Sequence, residues 1–225
     1  MTVVLIPGLL CDGYCWEPVT TRLDASVADV STQDSLTQMA RDQLDRHPGP
    51  LRVAGHSMGA RVAVEMARLA PGRIERLALL DTGIHPLAPG EVEKRAEIVR
   101  YAYDHGMEAL AARWLPPMVW EENRHDAALM AALTAMVLRK SPDQHARQIK
   151  ALVERPDAAA TLPAIACPVL VIVGRHDAWS PVAQHEEMVR LLPDARLEIV
   201  EGAGHFAPVE QPGAVADLLV PFLSE

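Results

Sequence analysis

Short, continuous runs of apolar residues alternate with longer segments in which apolar residues recur every three or four positions over the first 80 residues. Such continuous runs predict strands buried on both faces, whereas the three-to-four-residue spacing predicts amphipathic helices. The predicted strands cover residues 2–6, 27–30, 51–54 and 73–80. The predicted helices cover residues 16–23, 36–46 and 58–69. This alternation is typical of a parallel sheet with helices on both faces.

The spacing of apolar residues changes between about residues 84 and 162, where it is helical throughout. Helices are predicted at about 90–104, 107–114, 121–138 and 142–154, with proline-containing breaks between several of them. Strands at 168–173 and 196–200 then alternate with helices at 182–192 and 213–223. We therefore predict an α/β fold of one domain over residues 1–225, with a mostly parallel sheet of about six strands. Residues 84–162 are expected to form a helical lid insertion.

Composition narrows the class of protein. Of 225 residues, 49% are hydrophobic and 23% are charged, which favours a soluble globular domain. The net charge of −9 gives no support to nucleic-acid binding, which needs a basic face. No apolar run approaches the roughly 18 residues of a membrane span, and residues 2–6 are too short for a signal peptide. Three cysteines, Cys11, Cys15 and Cys167, make a disulfide framework improbable, so we expect a cytoplasmic protein.

The first candidate for chemistry is Gly55-His56-Ser57-Met58-Gly59, which lies between a predicted strand and a predicted helix. This is the G-x-S-x-G pattern of a nucleophile elbow, in which a sharp turn exposes the serine hydroxyl above the sheet. The two glycines leave room for the turn. The helix that follows offers free N–H groups to an anion.

Two further side chains are expected at the same edge of the sheet. Asp177 follows the strand at 168–173, and His205 lies in a glycine-rich loop after the strand at 196–200. The C-terminal ends of parallel strands share one edge, so both side chains should approach Ser57. An imidazole there can take the serine proton, and a carboxylate can orient the imidazole.

The order Ser57, Asp177, His205 and four stretches of sequence resemble the α/β-hydrolase fold superfamily. The stretches are LIPGLL, GHSMG, GRHDAWSP and GAGHFAPVEQP, which span residues 5–212. The chain is similar to the group of esterases, lactonases, carbon–carbon hydrolases and cofactor-free haloperoxidases. The resemblance implies that Ser57 is the nucleophile, His205 the base and Asp177 its orienting acid. It also implies that no cofactor and no metal is needed.

The resemblance further implies an oxyanion hole made of two backbone N–H groups. One should belong to Met58, the residue after the nucleophile, and the other to the loop after the first strand. Relatives usually carry His-Gly-x in that loop, whereas this chain has Pro7-Gly8-Leu9, which makes Leu9 the expected donor. Relatives also often begin with two additional strands, so we expect the first two strands of the usual fold to be absent.

Several other polar residues have competing interpretations. Asp81 also ends a predicted strand and is an alternative acid. His56 is expected to point away from Ser57 and to be structural. Asp12 is expected to form a turn, and Cys11 to be a small buried residue. The histidines at intervals of twenty residues, His85, His105, His125 and His145, form no helical or metal-ligand pattern.

The substrate is the least constrained part of the prediction. Trp114 and Met118 in the insertion, and Trp16 and Trp179 in loops at the sheet edge, are the candidate pocket residues. No arginine is clearly placed for a substrate carboxylate, although Arg113 and Arg175 are candidates. We expect a serine hydrolase that cleaves a small to medium, fairly apolar carboxylic ester through an acyl-enzyme. The alternatives are a lactone, thioester or carbon–carbon bond hydrolase, or a non-catalytic ligand-binding member of the fold. The expected partners are the small-molecule substrate and, if the chain is not a monomer, a second copy in a homodimer.

Overall fold

A computed structural model describes residues 2–225, which form a six-stranded, all-parallel sheet with helices on both faces. The strands are β1 (Thr2–Ile6), β2 (Ser26–Val27), β3 (Leu51–His56), β4 (Ile74–Leu80), β5 (Val169–Gly174) and β6 (Ala195–Val200). Their spatial order is β2-β1-β3-β4-β5-β6, and every neighbouring pair is parallel. The predicted fold class is confirmed, including a sheet whose first strand starts at residue 2.

Nine α-helices lie within residues 2–225, of which three belong to the segment between β4 and β5. The helices are α1 (Glu17–Thr20), α2 (Leu36–Arg46), α3 (Met58–Leu69), α4 (Glu91–Trp114), α5 (Ala127–Leu138), α6 (Pro142–Val153), α7 (Val182–Leu191), α8 (Ala207–Glu210) and α9 (Pro212–Ser224). Residues 84–162 contain helices and short 3-10 turns only, as their pattern predicts; we call this segment the insertion. None of the nine helices is long and apolar enough to cross a membrane.

Local differences from the predicted elements have identifiable causes. The second strand is limited to Ser26–Val27, because only these residues pair with β1. The predicted helices at 90–104 and 107–114 form one element, α4, that is broken where Gly106 has φ 82° and ψ 172°. Helix α5 begins six residues later than predicted, because the Asp126 carboxylate accepts the N–H groups of Ala128 and Leu129 and caps it there.

Strand register brings the C-terminal ends of the central strands to one level. Ile6 of β1 is paired with Gly55 of β3, and His56 of β3 is paired with Leu80 of β4. Strands β3 and β5 are buried at every position, which explains why their sequences are apolar without alternation. The loops after β1, β3, β4, β5 and β6 therefore meet along one edge, and the insertion packs over it.

Candidate active site

Ser57 lies at the turn between β3 and α3, with the strained backbone conformation φ 54°, ψ −114°. A Cβ atom on Gly59 would collide with the backbone of Ile6, and one on Gly55 would collide with the backbone of Gly59. The two glycines thus allow α3 to start directly against β1. This close packing holds Ser57 above the end of the sheet, where its side chain remains partly exposed.

Ser57, His205 and Asp177 form a hydrogen-bonded chain. The Ser57 Oγ atom lies 2.9 Å from His205 Nε2, and His205 Nδ1 lies 2.8 Å from Asp177 Oδ2. With the proton on Nδ1, the imidazole donates to Asp177 and its Nε2 accepts the serine hydroxyl. His205 is 4% exposed and Asp177 is 3% exposed, so water barely reaches the His205–Asp177 hydrogen bond. The loops after β3, β5 and β6 thus bring together the three residues that the sequence singles out.

The carboxylate of Asp177 is held by its own loop. Its Oδ1 accepts the N–H groups of Trp179 and Ser180 at 2.8 and 2.9 Å, and its Oδ2 accepts the Ser180 hydroxyl at 2.7 Å. Burial alone would raise the pKa of Asp177, but the adjacent His205 and the hydrogen bonds from Ser180 outweigh it and hold the pKa below its ordinary value. Asp177 is therefore ionised. The role of Ser180 is not evident from the sequence, since a serine three residues after an aspartate is common in turns.

A second buried carboxylate, Glu210, fixes the loop that carries His205. Its Oε1 accepts the N–H groups of Gly204 and Phe206, on either side of His205, at 3.0 and 3.1 Å. Its Oε2 accepts the Trp120 N–H at 3.0 Å and the Asn123 side-chain N–H at 2.9 Å, both from the insertion. One carboxylate thus ties the His205 loop to the insertion. Glu210 lies in α8 and carries no motif of its own, so sequence reasoning missed it.

The expected oxyanion donors, Leu9 and Met58, both line the cavity beside Ser57. Met58 is the first residue of α3, so its N–H has no acceptor within the helix. Residues 8–11 form a turn in which the Cys11 N–H donates to Gly8 O at 3.1 Å and Leu10 has φ 59°. The Gln148 side chain accepts the Leu10 N–H at 3.0 Å. No hydrogen bond within residues 2–225 uses the Leu9 N–H, which is therefore free for a ligand oxygen.

The alternative acid, Asp81, does not contact His205. It is fully buried, its Oδ1 accepts the Gly174 N–H at 2.9 Å, and its Oδ2 lies 3.6 Å from His56 Nε2. Burial and then repulsion from Asp177 raise the pKa of Asp81 well above its ordinary value, which favours the neutral form of this carboxyl. His56 Nε2–H donates to the His205 carbonyl at 2.8 Å, away from Ser57 Oγ, and burial lowers the pKa of His56 to about 3. His56 thus supports the His205 loop as a neutral ring.

A cavity of about 640 Å³ opens at Ser57. Three of the four predicted pocket residues line it, and the fourth does not. Trp114, Met118 and Trp179 line it, together with Ser57 and His205. The prediction for Trp16 is wrong. Its ring is completely buried in the hydrophobic core beside the first loop, since an indole of this size fills core space, and it does not line the cavity.

The remaining polar candidates fall outside the reactive centre. Asp12 caps the turn before α1 through the Tyr14 N–H and pairs with Arg139 and Lys140, which agrees with its expected turn role. Cys11 is buried, its thiol donates to the Leu9 carbonyl oxygen at 3.4 Å, and the neighbouring Cys15 and burial raise the pKa of that thiol. A thiol that stays protonated is a poor nucleophile.

The two arginines that the sequence offers for a carboxylate are both paired. Arg175 pairs with Glu201 at 2.6 Å on the surface, outside the cavity. Arg113 lines the cavity but pairs with Glu97 at 2.8 Å. Residues 2–225 contain no group of three or more His, Cys, Asp or Glu side chains that would hold a metal ion.

Comparison with known proteins assigns the fold to a family. The model of the alpha/beta hydrolase family matches residues 3–218. A pimeloyl-[acyl-carrier protein] methyl ester esterase of Nitrosomonas europaea is 32% identical over 185 residues, covering 76% of this chain and 71% of that protein. A thermophilic esterase from Thermogutta terrifontis, solved with malate bound, superimposes with a TM-score of 0.91 at 28% identity, over 100% of this chain and 89% of that one. The enol-lactonase from Burkholderia xenovorans LB400 superimposes with a TM-score of 0.87 at 25% identity, over 99% and 91%.

Proposed function

The chain belongs to the alpha/beta hydrolase family, and from that membership we propose that it is a serine esterase acting on small to medium carboxylic esters through an acyl-enzyme. The hydrogen-bonded chain Ser57–His205–Asp177, with distances of 2.9 and 2.8 Å at the mouth of a cavity, is the observation that carries the proposal. Esterases among the similar proteins support the same reaction class.

In the proposed first half-reaction, His205 Nε2 takes the proton of the Ser57 hydroxyl while Oγ attacks the ester carbonyl carbon. The imidazolium that forms is stabilised by ionised Asp177, which also keeps the proton on Nδ1. The same imidazolium then gives its Nε2 proton to the leaving alkoxide. The products of this step are the free alcohol and an acyl group on Ser57.

In the second half-reaction a water molecule replaces the alcohol. His205 takes a proton from the water, the resulting hydroxide attacks the acyl carbon, and Ser57 leaves with that proton. Both tetrahedral intermediates carry a negative oxygen, which the N–H groups of Leu9 and Met58 stabilise in this proposal. Each such donor is worth roughly 2.7–4 kcal/mol in the transition state. The proline at position 7 leaves the Leu9 N–H intact.

The cavity supports an acyl group of moderate size. Its lining includes the large apolar side chains of Trp114, Met118 and Trp179, and its volume of about 640 Å³ is in the range of small-molecule sites. A lactone meets the same serine and imidazole, with the alcohol remaining attached after ring opening. The enol-lactonase among the similar structures makes lactones the second candidate substrate class.

Release of p-nitrophenol from acetate, butyrate and hexanoate esters tests the proposal. The wild-type protein should turn over these esters, and Ser57→Ala should reduce kcat/KM at least about 10³-fold, because removing the nucleophile leaves only binding and oxyanion contributions. Ser224→Ala, at the exposed C-terminal end of α9, is the matched control and should behave as wild type. A wild-type protein that hydrolyses no ester, or a Ser57→Ala variant of equal activity, would overturn the esterase assignment and favour a ligand-binding role.

A further inference from the structure

The lining of the cavity contains more basic than acidic side chains, although the chain as a whole carries a net charge of −9. The basic side chains that line the cavity are Arg61, Lys94, Arg95, Arg113 and Arg155. The acidic ones are Glu91, Glu97 and Asp81, and burial raises the pKa of Asp81 well above its ordinary value. A cavity with a surplus of positive charge in an acidic protein attracts anions.

Ion pairing accounts for three of these five cations and leaves Arg61 and the exposed Lys94 without a carboxylate partner. Glu91 binds Arg155 through both carboxylate oxygens, at 2.8 and 2.9 Å, and also accepts from Arg95 at 2.7 Å. Arg113 is paired with Glu97, as described above. None of the ion pairs formed by residues 2–225 includes Arg61. The single carboxylate Glu91 is thus already shared by two guanidinium groups.

Arg61 lies in the first turn of α3, four residues after Ser57, and both residues line the cavity. Its Nη2 atom makes one long hydrogen bond, 3.5 Å, to the His85 carbonyl oxygen, which also accepts from Arg155 Nε at 3.3 Å. Two guanidinium groups therefore converge on one oxygen. Burial, and then repulsion from Arg155 and Arg95, lower the pKa of Arg61 to about 10, so it remains charged at neutral pH. A guanidinium has five N–H donors, and most of those of Arg61 have no protein acceptor.

His145 supplies a second unused donor in the same cavity. It is completely buried on α6, lines the cavity, and neither of its ring nitrogens has a hydrogen-bond partner. Burial and the nearby Arg95 lower its pKa to about 4, so the ring is neutral and carries one N–H. Arg61, Arg95 and His145 all line this cavity, and Arg95 lowers the pKa of the other two side chains. A buried polar ring without a partner is costly unless a ligand or water satisfies it.

We propose that Arg61 and His145 bind an ionised carboxylate of the substrate, so that the preferred substrates carry one carboxylate in addition to the bond that Ser57 attacks. The inference rests on the proposed esterase function and names its substrate class. A monoanion fits because Arg61 is the one unpaired guanidinium in the lining, while the other unpaired cation, Lys94, is exposed to water. The neighbouring Glu91 would repel the second charge of a phosphate monoester. The planar fork of Arg61 also matches the two oxygens of a carboxylate.

The first test compares esters that differ only in charge. The acyl arm uses p-nitrophenyl hemiesters of succinate, glutarate and adipate against p-nitrophenyl butyrate, valerate and hexanoate of equal chain length. The alcohol arm uses 4-carboxyphenyl butyrate against phenyl butyrate. In one of the two arms, we expect the wild-type protein to hydrolyse the anionic ester with a kcat/KM at least about 10-fold higher than that of the neutral ester. The arm that shows this preference tells whether the bound carboxylate belongs to the acyl group or to the alcohol. Equal or greater activity on the neutral ester in both arms would overturn the proposal without reference to any variant.

The second test assigns the preference to Arg61. In Arg61→Gln the ratio of kcat/KM for the anionic ester to that for its neutral counterpart should fall at least about 10-fold, mainly through KM, and Arg61→Lys should lie between the two. Arg22→Gln removes the same charge from an exposed surface pair with Asp217 and is the matched control, with an unchanged ratio. A ratio that falls equally in Arg22→Gln, or not at all in Arg61→Gln, would refute the assignment.

Calorimetric binding of adipate separates this inference from the esterase proposal. Binding to wild type and to Ser57→Ala should be equal, and at least about 10-fold weaker in Arg61→Gln, since binding needs no nucleophile. Adipate binding with this pattern in a protein that cleaves no ester would refute the esterase proposal alone. Ester cleavage with no charge preference and no adipate binding would refute the carboxylate site alone.

Discussion

Glu210→Gln is the perturbation whose consequence is best defined by the geometry. The carboxylate accepts four hydrogen bonds, two on each oxygen, whereas glutamine offers one acceptor oxygen and one amide group that donates. If the retained oxygen faces Gly204 and Phe206, the amide faces the Trp120 N–H, donor against donor. Asn123 must then turn its amide over to accept, and it loses its 2.8 Å bond to Gly202 O.

The cost is therefore about two hydrogen bonds, and bonds to a charged group contribute about 1.5–3 kcal/mol each. We expect Glu210→Gln to lower the free energy of unfolding by about 3 kcal/mol. For a chain of this length, that corresponds to a fall in Tm of about 10 °C, which thermal unfolding followed by circular dichroism will measure. Glu186→Gln, at an exposed pair with Arg190, is the matched control and should shift Tm by less than about 2 °C.

Glu210 does not line the cavity, so it is a positioning residue whose effect on catalysis passes through His205. Loosening the His205 loop should lower kcat for p-nitrophenyl butyrate about 10-fold at 25 °C, where the variant is still folded, with little change in KM. The rate of labelling by a fluorophosphonate should fall in parallel. A Tm within 2 °C of wild type together with kcat within two-fold would mean that the Glu210 carboxylate does not hold the His205 loop in place. A fall in Tm with unchanged kcat would limit Glu210 to a structural role.

Two further predictions concern carboxyls and buried histidines. Asp177→Asn should lower kcat about 10⁴-fold. Asp81→Asn, in which the amide mimics a protonated carboxyl, should leave kcat within about three-fold of wild type. A larger loss of kcat in Asp81→Asn than in Asp177→Asn, measured in steady-state assays, would mean that Asp81 is the acid that orients His205. His56, His145 and His185 have pKa values lowered by burial to about 3, 4 and 4. Below pH 6.5 these three imidazoles take up protons in the unfolded chain but stay neutral in the folded one. The free energy of unfolding should therefore fall by about 1–3 kcal/mol per pH unit down to about pH 4. This figure includes the opposite effect of Asp81, whose pKa is raised by folding. A urea midpoint that is equal at pH 7 and pH 5 would contradict this.

The parts of the fold that follow from apolar pattern were predictable from the sequence. Strands β3 and β5 are buried throughout, so their continuous runs carry a clear signal, and the glycines around Ser57 mark the tight turn that follows β3. Parallel strands end at one edge, and this alone predicts that Asp177 and His205 approach Ser57. Their chain order and motifs then lead to the right family.

Residues whose importance depends on long-range contacts were not predictable in the same way. Glu210 binds the backbone N–H of residue 120, which is 90 positions away in the sequence. Arg61 becomes a candidate for anion binding only because the fold brings Arg95 and Arg155 near it. For Trp16 the sequence predicted a functional contact that the structure does not contain. Its position in a loop near the sheet edge suggested contact with substrate, whereas its ring packs into the core. Distances between side chains of the insertion and of the sheet edge are set by packing that no local pattern encodes.

Covalent labelling shows whether Ser57 is a nucleophile that His205 activates. Intact-protein mass spectrometry after reaction with a fluorophosphonate should show one adduct per wild-type chain, mapped by peptide analysis to Ser57, and no adduct on Ser57→Ala. His205→Ala should label far more slowly, because the hydroxyl then has no base. An unlabelled wild-type protein, or an adduct of equal stoichiometry on Ser57→Ala, would mean that Ser57 is not the nucleophile.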